Sequence, residues 1–273
     1  MATMALSLLF TFTFSQSAIA WGKNGHRIVG KIAENHLTPT TLKEVYKLLD
    51  DDKLAEVGTW ADEMRSNPSE FWQKKSPRWH YISISSLDHF HPEQYDHSSE
   101  ISNIYIAIRR AIDVLKSPST SVADKKHYLR FLVHLVADVH QPLHVGRSED
   151  RGGNRIDVRF FNREVNLHTL WDTTLVENEQ LSYSEFVDFI DTKNPQLVQE
   201  YLATRPADWV KESFHLVQGI YEVGDKDYRY NYVYKYMPLV KERLLQAGIR
   251  LAGTLNEIFD PNSVAGISSL KQP

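Results

Sequence analysis

Apolar residues recur at helical spacing along almost the whole chain after Trp21, and this periodicity restricts the fold more than any other feature of the sequence. Leu129, Leu132, Val133, Val136 and Val139 make one stripe, which Pro142 brings to an end. Ile101, Ile104, Tyr105, Ile108, Ile112 and Leu115 make another. The series begins with His26 to Leu37; Leu42, Val45, Leu48 and Leu49 follow behind Pro39, which suits the first turn of a helix. Segments near 183–191, 195–203, 206–218 and 238–259 complete the helical set. One stretch breaks the pattern. From Ile156 to Val165, Ile156, Val158 and Phe160 alternate with charged residues around Phe161-Asn162-Arg163 and read as a small hairpin, the one convincing β element. The alternating Tyr228, Tyr230, Tyr232, Tyr234 and Tyr236 before Pro238 leave strand and helix both open. No repeat or composition break divides the chain, so the expected fold is all-α: a single, mainly helical domain with one small β-hairpin.

Residues 1–20 contain no charged side chain and run from an apolar core at Leu6–Phe10 into Ala18-Ile19-Ala20. They read as a cleaved secretory signal with the cut before Trp21, leaving a domain over 21–273. A membrane anchor is the weaker alternative. A span needs about 20 apolar residues, and Thr, Ser and Gln interrupt this stretch from position 11 to 17. The expected location is secreted or periplasmic, with no membrane association after signal removal and no protein partner evident. The absence of cysteine and of an Asn-x-Ser/Thr acceptor favours a bacterial setting over a eukaryotic one.

Zero cysteines also exclude disulfides, thiolate metal sites and thiol catalysis, so any metal must sit on His, Asp or Glu. A net charge of −4 provides no global basic footprint, and a nucleic-acid partner would have to be met by local positive charge. Among the 12 histidines, several stand within the helical stripes. His134 and Asp138 are four apart and share a helix face, and His144 follows just past Pro142. Alone, such a pair reads first as a surface ion pair. The spacing recurs, however, at His168 and Asp172, behind Asn166 as a helix cap. Imidazole and carboxylate directed to one side suit a divalent cation such as zinc. Asp62 and His80 lie beside large aromatics; taken singly, a cap and a satisfied structural histidine remain open for them. A cut before Trp21 would free an α-amino group with a pKa of about 7.7–8.0, a competent metal ligand when neutral, with His26 five residues on; a clipped, disordered terminus is the alternative.

Taken together, Trp21-Gly-Lys-Asn-Gly-His26, Trp60-Ala-Asp62-Glu-Met-Arg65, His80-Tyr81-Ile82, Phe131-x2-His134-x3-Asp138-x5-His144, Gly152-Gly153-Asn154 and Asn166-Leu-His168-x3-Asp172 resemble the zinc-dependent type I nucleases, single-strand-specific nucleases and 3′-nucleotidases of fungi, plants and bacteria. The resemblance covers residues 21 onward nearly end to end. It implies a helical fold related to zinc-dependent phospholipase C with three Zn2+ in a cleft. Asp62, His80, His134 and Asp138 would hold the first. His144, His168 and Asp172 would hold the second. The Trp21 amine and carbonyl, His26 and Asp138 would hold the third, with Asp138 bridging. His36, His89, His91, His97, His127, His140 and His215 are assigned no metal.

The resemblance further implies a phosphodiesterase acting on single-stranded DNA and RNA and on 3′-nucleotides. On that resemblance, the zinc ions would lower the pKa of a bound water toward about 7 and so supply the nucleophile for attack at phosphorus, leaving 5′-phosphates. Asp62 and Arg65 are the expected catalytic residues, Arg65 by holding a phosphate oxygen. Tyr81 would stack on an unpaired base and Asn154 would help shape that pocket, against alternatives of core packing and an ordinary turn. Ser83 stands where many relatives have a base-contacting Asp, and the segment from Ser85 to Ser99 lacks their cysteine-containing loop. Zinc-dependent phospholipase C is the nearest rival, opposed by the short spacing from Trp21 to His26, by Arg65, and by Asp172 where a Glu would be required. A non-catalytic zinc-binding protein on the same fold is the other.

Overall fold

The computed structural model describes residues 21–95, 100–222 and 227–262. The expected signal segment, 1–20, lies outside the described residues. Those described are dominated by helices: α1 Lys23–Asn35, α2 Pro39–Leu49, α3 Ile104–Lys116, α4 Val122–Val139, α5 Tyr183–Ile190, α6 Pro195–Leu202, α7 Pro206–Tyr221 and α8 Tyr230–Phe259 are those of eight residues or more. Their starts follow local chemistry. Thr38, Asn103, Ser121, Ser182 and Asn194 each accept a hydrogen bond from a first-turn N–H of α2, α3, α4, α5 and α6, satisfying donors that the helix itself leaves unpaired. Pro39, Pro195 and Pro206 occupy first-turn positions, where a missing N–H costs nothing.

Helix α4 runs through the interior, with Leu129 and every residue from Phe131 to Val139 buried. Helix α3 packs on one side of it, while α1 and α8 pack against each other on another. That second contact requires Gly248: a Cβ there would lie 2.5 Å from Cβ and Cγ2 of Ile32. No helix among the described residues is long and apolar enough to cross a membrane.

The expected hairpin forms from β1 Asp157–Phe160 and β2 Arg163–Asn166, antiparallel with Val158 opposite Val165 and Phe160 opposite Arg163. Phe161 and Asn162, at φ 48° and 66°, supply the left-handed turn that matches strand twist in a two-residue connection. A third strand, β3 Asp227–Tyr228, pairs parallel to β1, so the sheet order is β2-β1-β3 rather than an isolated hairpin. Two residues are too few to carry a period.

The tyrosine run also resolves differently from either simple alternative. Tyr228 ends β3, and α8 starts at Tyr230, ahead of the expected 238, with Pro238 inside it. An interior proline costs about 3 kcal/mol. It is tolerated here because Tyr232 and Tyr236, one turn apart, face inward. Tyr232 stacks on Tyr228 at 4.0 Å and its hydroxyl accepts from Trp171 Nε1 at 2.9 Å, while Tyr236 meets Trp171 edge-on.

Candidate metal centre

Helix α4 sets the centre of the site because it buries His134 and Asp138 completely in an otherwise apolar stretch. Removing an ionisable group from water without a partner is costly, so these side chains must be compensated locally. Two further elements converge on them. The 3₁₀ turn Ser76–His80 delivers His80, and the short helix Trp60–Glu63 delivers Asp62. His80 Nδ1 and His134 Nε2 each lie 3.0 Å from Asp138 Oδ2 and 2.9 Å from one another. Asp62 Oδ1 lies 3.9 Å from His134 Nε2. Donors around one tetrahedral zinc at 2.0–2.1 Å stand about 3.3 Å apart, so the triangle is of metal-binding size. On the other carboxylate oxygen, Asp138 Oδ1, His26 Nε2 approaches to 3.4 Å from α1, its ring stacked on His134 with centroids 4.0 Å apart.

A second cluster lies beyond the end of α4. His144 sits on the turn Pro142–Val145, His168 on the short helix Leu167–Thr169 that Asn166 caps, as its sequence position predicts, by accepting from Thr169 N, and Asp172 on the turn after it. That turn, Leu170–Thr174, is of the wider π type. His168 Nε2 is 3.0 Å from Asp172 Oδ2, and His144 Nε2 is 3.7 Å from Asp172 Oδ1.

Backbone carbonyls select the tautomer of three of these imidazoles. His134 Nδ1 donates to Gly58 O at 2.8 Å, His144 Nδ1 to His80 O at 2.6 Å, and His168 Nδ1 to Gly152 O at 2.6 Å. A carbonyl only accepts, so in the neutral ring the proton sits on Nδ1 and the Nε2 lone pair points into the cleft, the orientation that metal-bound histidines adopt. His144 Nε2, His168 Nε2, His80 Nε2, both His26 nitrogens, Asp62 Oδ1 and Asp138 Oδ1 are buried without a hydrogen-bond partner, although buried polar atoms are normally satisfied. Three groups of ligand atoms, each mutually within 4.8 Å, result: His26, His134 and Asp138; Asp62, His80 and His134; His144, His168 and Asp172. Nitrogen and carboxylate donors in this mixture fit zinc.

The electrostatics of the cleft draw positive charge inward. Burial works to lower the pKa of His134, but Asp138 and Asp62 outweigh it and carry the group up to about 9. Burial opposes protonation of His144 likewise, yet Asp138 and Asp172 raise it to about 9. Burial would raise the Asp138 carboxyl, but His134 and His144 hold it well below the usual carboxylate range. His26 is pushed well below its ordinary value by burial and by neighbouring His134. The field that retains protons on two imidazoles is the field that retains a metal cation, and the two compete for the same lone pairs.

Arg65 Nη1 is 3.8 Å from Asp62 Oδ1. Tyr81 is 46% exposed, so core packing does not account for it. Asn154 donates through Nδ2 to Arg151 O at 2.7 Å within its own loop. Trp21 is buried, and the next residue, Gly22, donates its N–H to Asp172 O at 2.6 Å, tying this segment to the second cluster. His140, left without a metal in the sequence reading, uses both nitrogens elsewhere: Nδ1 donates to Val136 O, and Nε2 accepts from Arg250. Sequence reasoning missed Gln141, whose amide contacts Asp172, and the half-buried Glu212 with the buried Arg243 and Arg250 that it pairs. Only Gln141 carried a signal, its place between two ligands of one motif.

Comparison with known proteins gives a consistent picture. The family model described as S1/P1 Nuclease matches residues 21–260. The chain is 31% identical to Endonuclease 3 of Arabidopsis thaliana, over 93% of this chain and 94% of that protein. It is 32% identical to Endonuclease 4 of the same plant, over 89% and 90% respectively. Nuclease S1 of Aspergillus oryzae is 29% identical, over 91% and 95%.

Proposed function

The chain belongs to the S1/P1 nuclease family, and from that footing we propose that it is a zinc-dependent phosphodiesterase cleaving single-stranded DNA and RNA to 5′-phosphate products, with 3′-nucleotidase activity. The observation that carries this reading is the set of buried His and Asp ligand atoms, most without a hydrogen bond of their own, that converge in one cleft. Asp62, His80, His134 and Asp138 hold one zinc, His144, His168 and Asp172 a second, and Trp21, His26 and Asp138 a third. The third set requires a cut before Trp21, which also makes residues 1–20 an export signal and the enzyme secreted or periplasmic.

When bound, the three cations supply Lewis acidity, activating water near neutral pH and stabilising the departing 3′ oxygen. The protein supplies the rest. Arg65, beside Asp62 at the rim, directs a guanidinium at a non-bridging phosphate oxygen, where a planar, permanently charged donor holds the phosphate in register. Asp62 offers a carboxylate oxygen on the same side, able to accept a hydrogen bond from the attacking water and fix its approach. Tyr81 follows directly on His80 and presents an exposed ring on which an unstacked base can lie; a duplex keeps its bases stacked and cannot reach it. Asn154 contributes to the wall of that base pocket.

The family match is to nucleases, which places phospholipase chemistry second. The test is cleavage of denatured against duplex DNA by signal-processed protein, with and without a zinc chelator, followed by analysis of the new ends. The expected result is chelator-sensitive cleavage of denatured DNA leaving 5′-phosphates. Equal cleavage of duplex, or activity untouched by the chelator, would overturn it.

A further inference from the structure

Gln141 sits between two clusters of metal ligands, is completely buried, and has no part in the chemistry described above. Its side chain makes two contacts of opposite polarity. Oε1 accepts from Leu143 N at 2.6 Å, and Nε2 donates to Asp172 Oδ1. The first contact fixes the second. A backbone N–H can only donate, so the oxygen end of the amide must face Leu143, and the two N–H donors must face the carboxylate. The main chain of Gln141 adds a third tie, its carbonyl accepting from His144 N at 3.0 Å.

We propose that Gln141 is the positioning residue of the second metal site, holding Asp172 so that it binds through Oδ2 alone. The inference rests on the zinc reading of that site. The carboxylate has two oxygens, and Gln141 occupies Oδ1, the one farther from its histidine: Oδ2 faces His168 Nε2 at 3.0 Å, whereas Oδ1 stands 3.7 Å from His144 Nε2. Fixing one oxygen removes the rotation that would let Asp172 swing between bidentate and monodentate binding. The same side chain shapes the turn that carries His144, whose Nδ1 is locked in turn by His80 O. Two ligands from separate parts of the chain are therefore set by one amide. Partners behind metal ligands typically control affinity by about 10–100-fold.

Gln141→Glu separates this role from simple packing. It keeps the volume and the acceptor for Leu143 N and replaces only the donor that faces Asp172. Gln141→Met removes both contacts at similar size. Zinc content of the holoenzyme and zinc release to a chromophoric chelator are measured, together with the thermal midpoint of the zinc-stripped protein. In both variants one zinc of three is expected to leave about 10–100-fold more readily, with the other two unchanged. Zinc release from Gln141→Glu equal to or tighter than wild type would overturn the proposal. So would an equal weakening of all three sites, or failure of Gln141→Glu to fold, either of which assigns Gln141 to general packing. If the wild-type protein takes up no zinc, the proposed function fails first, and that outcome is distinct from three tight zinc ions in wild type and Gln141→Glu alike.

Discussion

Replacing Glu212 with Gln tests how the centre is braced from behind. Arg243 and Arg250 are both buried, and Glu212 is the carboxylate both contact: Arg243 Nη1 donates to Oε2 at 2.9 Å, and Arg250 donates to Oε2 at 2.6 Å and Oε1 at 2.7 Å. The guanidiniums reach onward to α4. Arg243 Nε donates to His140 O at 3.1 Å and its Nη2 to Ser213 Oγ, which in turn donates to Val139 O at 2.5 Å. The last carbonyls of the helix bearing Asp138 are thus gripped by groups whose charge Glu212 balances. Glu212→Gln leaves two buried cations facing a neutral amide, and breaking a buried pair costs about 3–5 kcal/mol. The Glu212 side chain is 30% exposed, so water screens part of the loss and the lower end, about 3 kcal/mol, applies. For a domain of this size that is about 6–12 °C in thermal midpoint. The pH dependence carries the sign. Burial would raise the Glu212 pKa, but Arg250 and Arg243 outweigh it and hold the pKa below the ordinary value. Its contribution is therefore full above the unfolded-state value of about 4.3 and is lost as pH falls through the lower folded-state value. The gap between wild type and Glu212→Gln should be complete at neutral pH and close in acid. A midpoint within about 2 °C of wild type at neutral pH, or a gap that persists in strong acid, would refute the bracing argument.

Asp138→Ala should lose two zinc ions and activity together, because both carboxylate oxygens face imidazoles of different groups; full metal content with normal turnover would sink the bridging assignment. Retaining Ala20 ahead of Trp21 converts the amine into a peptide nitrogen, a poor ligand, and should weaken the third zinc, read as stoichiometry after dialysis; three tight ions in the extended protein would contradict it. Tyr81→Ala should cut kcat/KM on single-stranded DNA by about 5–150-fold, the equivalent of 1–3 kcal/mol of base stacking, and unchanged kinetics would remove Tyr81 from the substrate path. Stripping the metal should lower the thermal midpoint, and readdition at about 1,000 times Kd should restore about 4.1 kcal/mol per site. A midpoint indifferent to chelator would show that the buried donors do not bind metal.

The residue types of the cleft were legible in the sequence because helical spacing is a local property. His134 with Asp138, and His168 with Asp172, project together whatever the rest of the chain does, and α4 and the β1–β2 hairpin follow from periodicity and turn chemistry in the same way. The start of α8 was not legible. Alternating tyrosines satisfy a period of two, and only contact with Trp171, far away in sequence, selects the four-residue spacing of Tyr232 and Tyr236. The role of Gln141 and the Glu212 brace were hidden for a related reason: each is defined by partners on other elements, and a lone buried Gln or Arg has no sequence pattern of its own.

What the sequence specifies least is the direction of each lone pair, and that is what makes histidines into a metal centre. The carbonyls that fix His134, His144 and His168 belong to Gly58, His80 and Gly152, on turns that are themselves held by the tertiary fold. Gly152 shows how this works. At φ 63° it adopts a conformation that a side chain strains, and a Cβ there would collide with Leu143 O. Its loop is pinned by Tyr221 of α7, whose hydroxyl accepts from Arg147 N at 2.9 Å and donates to Asp150 Oδ1 at 3.1 Å; Asp150 Oδ1 then accepts from Gly153 N at 2.7 Å. A helix on one side of the molecule therefore decides which nitrogen of His168 faces the cleft. Ligand direction arises only when these distant parts have assembled, so metal affinity and completion of the fold are one equilibrium. On the proposed zinc reading, substitutions at Tyr221 or Gly152 should therefore lower zinc content after dialysis as those at His168 would, and unchanged content would refute the link.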